Sequence, residues 1–213
     1  MQKIKPTYPK VAILICLMLI LDQAVKIWIK TTMTLDESIT VFPDWFFIRF
    51  IENPGAAFGF QLGGSFGKLF LSLFRIAAVG VLIWYIGRLV KRKAPVGVIV
   101  GFAMILAGAL GNIVDSAFYG MIFDKGMVFD PELGYHVGYA GIAQFSTNGY
   151  SSFLHGNVVD MLYFPIVSGV YPTWFPWVGG EHFTFFSPIF NIADSYITCG
   201  VIYMLIFQYK FFK

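Results

Sequence analysis

The chain has 213 residues, 57% of them hydrophobic and only 13% charged, where a soluble domain carries about 25% charged residues. Together with a mean hydropathy of +0.71, this excludes a soluble globular domain and predicts an integral membrane protein. The net charge of +3 is small and gathered in short clusters, so it reports on membrane topology and excludes a nucleic-acid partner.

Lys3, Lys5 and Lys10 precede an uncharged run over residues 11–21. No small-residue cleavage site follows, so the run reads as an uncleaved first span over about residues 11–29. Within it, Asp22 and Lys26 are four apart and predict a structural pair on one helix face. Residues 38–42 and 45–52 are rich in aromatic and β-branched side chains, broken by Pro43-Asp44, and predict a short strand pair at the membrane surface. Asn53-Pro54-Gly55-Ala56-Ala57-Phe58-Gly59 then reads as a turn-forming loop.

A second span is predicted over residues 69–89, with Arg75 inside it and Arg88, Lys91, Arg92 and Lys93 at its end. Ala94-Pro95 breaks the helix, and a third span covers 96–114. Its many Gly and Ala residues suit close helix packing in lipid. The long stretch from 116 to 187 is aromatic-rich, as the headgroup level of a bilayer favours, and completes an outer region with residues 30–68. It holds His136, His155 and His182 without metal-site spacing, so no metal is expected. A fourth span covers 189–209, closed by Lys210 and Lys213. Cys16 and Cys199 fall inside spans and read as buried apolar thiols.

The expected fold is therefore an all-α transmembrane four-helix bundle with a small sheet, forming a single membrane-embedded domain over 1–213. Its basic clusters flank the spans on one side, which puts both termini in the cytoplasm. Against this apolar background an Asn-x-x-Asp pair occurs three times, at Asn112/Asp115, Asn157/Asp160 and Asn191/Asp194. On a helix each pair shares one face. A carboxylate near the centre of a span costs roughly 2.5–3.5 kcal/mol to insert, so such residues usually serve a function. Counting about 1.5 Å per residue from the cytoplasmic ends puts Asp22, Asp115 and Asp194 in the outer half of a core about 30 Å thick. Spacing alone pairs Asp115 with Asp194, since both lie on spans.

The motifs, taken in order, resemble the lipoprotein signal peptidases, the bacterial type II signal peptidases. The matching stretches are Asp22-Gln-Ala-Val-Lys26, Asn53-Pro-Gly-Ala-Ala-Phe-Gly59, Ala107-Gly-Ala-Leu-Gly-Asn112-Ile-Val-Asp115, Val158-Val-Asp160 and Phe190-Asn191-Ile-Ala-Asp194. The resemblance implies an intramembrane aspartic peptidase with Asp160 and Asp194 as its catalytic pair. Asn53, Gly55, Asn112 and Asn191 would support the site, and Asp115 would be structural. It further implies cleavage of diacylglyceryl-modified prolipoproteins just before the lipidated cysteine, at the outer face of the inner membrane. Contact with membrane lipids, inhibition by globomycin-type cyclic peptides and no cofactor are implied as well. The chain departs from the family pattern at Ser116, where an arginine usually follows the motif aspartate, and Arg75 is the nearest candidate to replace that cation.

A carrier with proton-binding carboxylates and a non-catalytic scaffold are the competing classes. Carriers favour midplane sites and paired repeats, whereas here the acids lie toward one face and no repeat appears.

Overall fold

The computed structural model describes residues 7–55, 64–185 and 187–213. Lys3 and Lys5 of the basic N-terminal cluster and residues 56–59 of the small-residue loop lie outside the described residues.

Four helices dominate. Helix α1 (Tyr8–Thr32) starts with proline in its first turn, where the missing N–H costs nothing, and carries Lys30 in its last turn. Helix α2 (Gly64–Lys91) ends in Arg88 and Lys91. Helix α3 (Val96–Val114) begins after Pro95 and passes without a break into a π-helical turn (Asp115–Tyr119) and the short α4 (Gly120–Ile122). Helix α5 (Ile192–Phe207) comes last. The helical stretches Tyr8–Thr32, Ser72–Lys91 and Val96–Ile122 are long and apolar enough to cross a membrane, while α5 has 16 residues. The fourth predicted span is thus shorter than 189–209, because Ile189–Phe190 are drawn into a strand.

Side chains explain the packing. Leu17, Ile20 and Leu21 of α1 and Leu205, Ile206 and Phe207 of α5 are exposed, as membrane-facing surfaces are. Cys16 and Cys199 are also exposed, which corrects the expectation of buried thiols: next to lipid, an apolar thiol need not turn inward. Between α1, α2 and α3 lies an apolar core that includes Val79, Ile86, Val98, Ile99, Ala103 and Leu106. Along α3 the glycines admit α5 closely. A Cβ at Gly108 would stand 2.7 Å from Ile197 Cγ1, and one at Gly111 would stand 2.5 Å from Asp22 Oδ2 and 3.0 Å from Ala193 Cβ. That approach puts the end of α3 against the start of α5.

The predicted strand pair is present as β1 (Ser38–Phe42) and β2 (Phe46–Asn53), but it belongs to a larger sheet. Strands β5 (Val158–Tyr163) and β8 (Ile189–Phe190) extend it in the order β1-β2-β5-β8, all antiparallel. Glu52 lies opposite Val159 and Ile51 opposite Asp160. The expected small sheet is therefore larger than one strand pair, and this antiparallel sheet carries one of the candidate acids. Two separate hairpins, β3 (Val128–Asp130) with β4 (Tyr135–Val137) and β6 (Val167–Val170) with β7 (His182–Phe185), fill out the region between α4 and α5. His136 sits on β4, His155 in a loop and His182 on β7, and no cluster fit to hold a metal occurs among the described residues.

Candidate active site

The site forms where α3, α5 and β5 meet. Helix α5 begins with a reciprocal cap. The Asn191 side-chain oxygen accepts from the Asp194 backbone N–H at 2.9 Å, and the Asp194 carboxylate accepts from the Asn191 N–H at 3.4 Å. Two otherwise unpaired donors of the helix start are satisfied, and both side chains are fixed toward the same end. The Asn191 amide is then free to face β5, and its Nδ2 donates to Asp160 Oδ1 at 2.6 Å and to Asn112 Oδ1 at 3.1 Å. Asn112 Nδ2 donates to Asp194 Oδ1 at 2.8 Å. Asp160 and Asp194 are thus linked by way of Asn191 alone, and also through Asn191 and Asn112. Asp194 is half-buried, while Asp160 is buried on its strand.

That burial has an electrostatic consequence. Removal from water raises the Asp160 carboxyl, and the charge of Asp194 raises it further, to about 7. Hydrogen bonds from Asn191 and Asn53 act the other way without cancelling the rise. Asn53 ends β2 opposite Val158, and its side-chain oxygen accepts from the Gly55 N–H at 2.9 Å. Gly55 has φ +96, a left-handed conformation that explains glycine at this turn.

Asp115 takes a different part. It is wholly buried and pairs with Lys26 at 2.9 Å, while Lys26 also pairs with Asp22 at 3.0 Å and donates to Asn112 Oδ1 at 3.0 Å. Asp22 Oδ1 accepts from the Ala193 backbone N–H at 2.9 Å, near the start of α5, and Asp115 Oδ2 accepts from Val159 N–H at 3.2 Å on β5. Helix α1, the end of α3, strand β5 and the start of α5 are locked by one lysine and two acids. The expected Asp22–Lys26 pair is present, and the pairing of Asp115 with Asp194 that spacing suggested is not seen. Asn112 stands between those two acids.

Asn157 and Asp160 do not share a helix face as their spacing implied. They flank the start of a strand, and the Asn157 amide instead donates to Glu52 Oε2 at 2.7 Å and to the Met127 carbonyl at 2.9 Å. This belongs to a second buried polar cluster that sequence reading missed. Glu52 forms an ion pair with Lys30 and also accepts from Met127 N–H at 2.8 Å and Tyr139 OH at 3.0 Å. The rings of Phe123, Tyr139 and Tyr150 surround the Lys30 ammonium at 5.1–5.3 Å. Gln23 was missed as well: its amide donates to Asp115 Oδ1 at 2.8 Å and its carbonyl accepts from Tyr119 OH at 3.1 Å. Its place beside Asp22 was the only signal.

Ser116 is buried and its hydroxyl donates to the Asn112 carbonyl at 3.0 Å, inside the π turn. Arg75, on α2, is half-buried and feels the charges of Asp194, Asp160 and Asp115, in that order. It makes no ion pair among the described residues.

Comparison with known proteins supplies the family. The model described as signal peptidase (SPase) II matches residues 14–210. A lipoprotein signal peptidase of Porphyromonas gingivalis is 50% identical over 199 residues, covering 92% of this chain and 81% of that protein. One from Amoebophilus asiaticus is 34% identical over 188 residues, 87% of this chain and 71% of that protein. A bacterial membrane enzyme solved by the in meso method superposes with a TM-score of 0.61 at 26% identity, over 97% of this chain and 91% of that one. With a family match over nearly its whole length and helices built to cross a lipid bilayer, the chain belongs to the signal peptidase II family of bacterial membrane proteases.

Proposed function

We propose that this protein is an aspartic endopeptidase that removes the signal peptide of a diacylglyceryl-modified prolipoprotein, cutting just before the lipidated cysteine. Asp160 and Asp194 are its catalytic pair. The observation that carries this reading is Asn191, which holds Asp160 through its amide while Asp194 closes the cap on the same residue. Two acids so placed do not both ionise readily. With its carboxyl raised to about 7, Asp160 is the member that keeps its proton near neutrality.

The steps follow from that division. Ionised Asp194 takes a proton from water, and the water oxygen attacks the scissile carbonyl carbon. Asp160 donates its proton to the carbonyl oxygen as the tetrahedral intermediate forms. Collapse breaks the C–N bond: the proton held by Asp194 passes to the leaving nitrogen, and the intermediate returns the other proton to Asp160. Asn112 and Asn191 keep the pair aligned, and Asn53 supports Asp160 from the neighbouring strand. Asp115, Lys26 and Asp22 hold α1, α3, β5 and α5 together.

The whole chain acts as one membrane-embedded domain in the bacterial inner membrane. Both termini lie in the cytoplasm, the acids face outward, and the aromatic-rich outer segments rest among lipid headgroups. The basic clusters at Arg88 to Lys93 and at Lys210 and Lys213 support that orientation. Globomycin-type cyclic peptides would compete for the same site. Incubating the purified protein with a diacylglyceryl-modified precursor tests the reading. Release of a signal peptide ending just before the lipidated cysteine is expected, and ion or proton flux without cleavage would replace the peptidase by a carrier.

A further inference from the structure

The two hairpins between α4 and α5 have opposite tips. The β3–β4 turn carries Asp130 and Glu132, with Asp130 Oδ1 accepting from the Glu132 and Leu133 N–H groups at 2.8 and 3.1 Å, an ordinary water-facing turn. The β6–β7 connection, residues 171–181, reads Tyr-Pro-Thr-Trp-Phe-Pro-Trp-Val-Gly-Gly-Glu, with one charge at its far end. It is an ordered structure. Backbone bonds run from Tyr171 to Glu181 and from Gly180 to Tyr171, both 2.9 Å, and Tyr171 packs on Phe183 at 4.7 Å between centroids. Its tryptophans nevertheless turn outward: Trp174 is 77% exposed and Trp177 is 96% exposed.

Trp177 is also backbone-strained, with φ +68 in the left-handed region that bulky side chains avoid. A strained residue persists where something over-determines it. The turn's own backbone holds it here, with Gly179 N–H bonded to the Phe175 carbonyl and Glu181 N–H to the Val178 carbonyl, both at 3.0 Å, while the Trp177 ring is left almost bare. The hairpin connects β5 to β8, and β8 leads directly into the first turn of the apolar helix α5. Phe164 and Phe190, at the two roots of the hairpin, stack on one another at 5.8 Å. Between Phe164 and Phe190 the chain carries a single charged side chain, Glu181.

We infer that the β6–β7 hairpin is an interfacial anchor that seats Trp174 and Trp177 in the lipid headgroup region, its partner being the bilayer surface itself. Tryptophan suits that layer because its ring is apolar and its N–H finds a headgroup or water acceptor. The leaflet it enters rests on the orientation proposed above, whereas contact with lipid does not. Because the hairpin joins the strand of Asp160 to the helix of Asp194, the anchor sets the depth at which the two acids meet a membrane substrate.

The test uses the full chain with Cys16 and Cys199 replaced by serine. Trp177→Cys or Glu132→Cys is labelled with an environment-sensitive fluorophore, and the protein is placed in phosphatidylcholine vesicles with or without brominated acyl chains. At position 177 the expected result is blue-shifted emission, cut by half or more in brominated lipid, with little response to aqueous iodide. Position 132 should show the reverse. Water-like emission at 177 with iodide quenching equal to that at 132 overturns the anchor. Cleavage is not read, so this outcome is distinct from failure of the peptidase assignment. Trp174→Cys, on the same turn, is the second probe should Trp177→Cys yield no folded protein, and the same two outcomes decide.

Discussion

At the scale of single residues, the raised carboxyl of Asp160 gives two predictions of opposite sign. Burial, then the charge of Asp194, lifts it to about 7, so cleavage that needs the protonated form should decline as pH rises through about 7. Single-turnover rates between pH 5 and 9 test this, and a rate still climbing above pH 8 would reverse the roles of the two acids. Stability follows the same proton. A folded-state carboxyl above its unfolded value favours folding at low pH, and that contribution is lost as pH rises through about 7. Asp160→Asn should therefore abolish cleavage yet raise the unfolding temperature at pH 8 more than at pH 5, each pH unit of the lift being worth about 1.4 kcal/mol at most. Asp194→Asn should lose as much activity, and the double change little more, because the pair acts as a unit. Arg75 tests the missing cation: Arg75→Leu should lower the cleavage rate at least tenfold, about 1.4 kcal/mol, and full activity in folded protein would reduce Arg75 to a headgroup contact.

Among the elements, α3 matters most because its end is where the strand and the last helix are joined. Asp115→Asn leaves Lys26 buried with one partner fewer and weakens the tie to β5, so about 3–5 kcal/mol of stability should go. The amount of folded protein should fall at least as far as the rate per folded molecule. Sequence reading saw the helical part of this arrangement well. The Asn112/Asp115 spacing and the small face of α3 are helix properties, visible wherever a 3.6-residue period applies. It did not see β5, because Val158 to Tyr163 is a short, nearly apolar run with no alternation, and what makes it a strand is β2 on one side and β8 on the other. Asp160 entered the candidate pair only through family resemblance for that reason. Lys30 and Glu52 were missed for a related one. Twenty-two residues separate them, and nothing local shows that a charge at the end of a helix meets one on a strand.

For the molecule as a whole, orientation is the property to measure. In a protein whose Cys16 and Cys199 are replaced by serine, cysteines at Asn148 and at Lys93, both exposed positions, should behave oppositely toward a membrane-impermeant thiol reagent added outside intact cells. Position 148 should react and position 93 should be protected, and the reverse pattern would turn the acids toward the cytoplasm. The number of helices was legible, because apolar length is a sum over many residues. The four-stranded sheet was not, since it is assembled from segments up to about 150 residues apart.

The cap on α5 also sets the order in which the protein becomes dangerous. Asn191 and Asp194 follow all the other spans in the chain, so ribosomal synthesis delivers them after α1, α2, α3 and β5. Until the first turn of α5 winds, Asn191 has no cap to close and Asp160 lacks the amide that holds it. A nascent chain therefore carries only one member of the proposed pair through most of its translation and insertion. With the proposed pair as the catalytic one, proteolytic competence arrives in one late step, when folding of the final helix and assembly of the two acids become the same event.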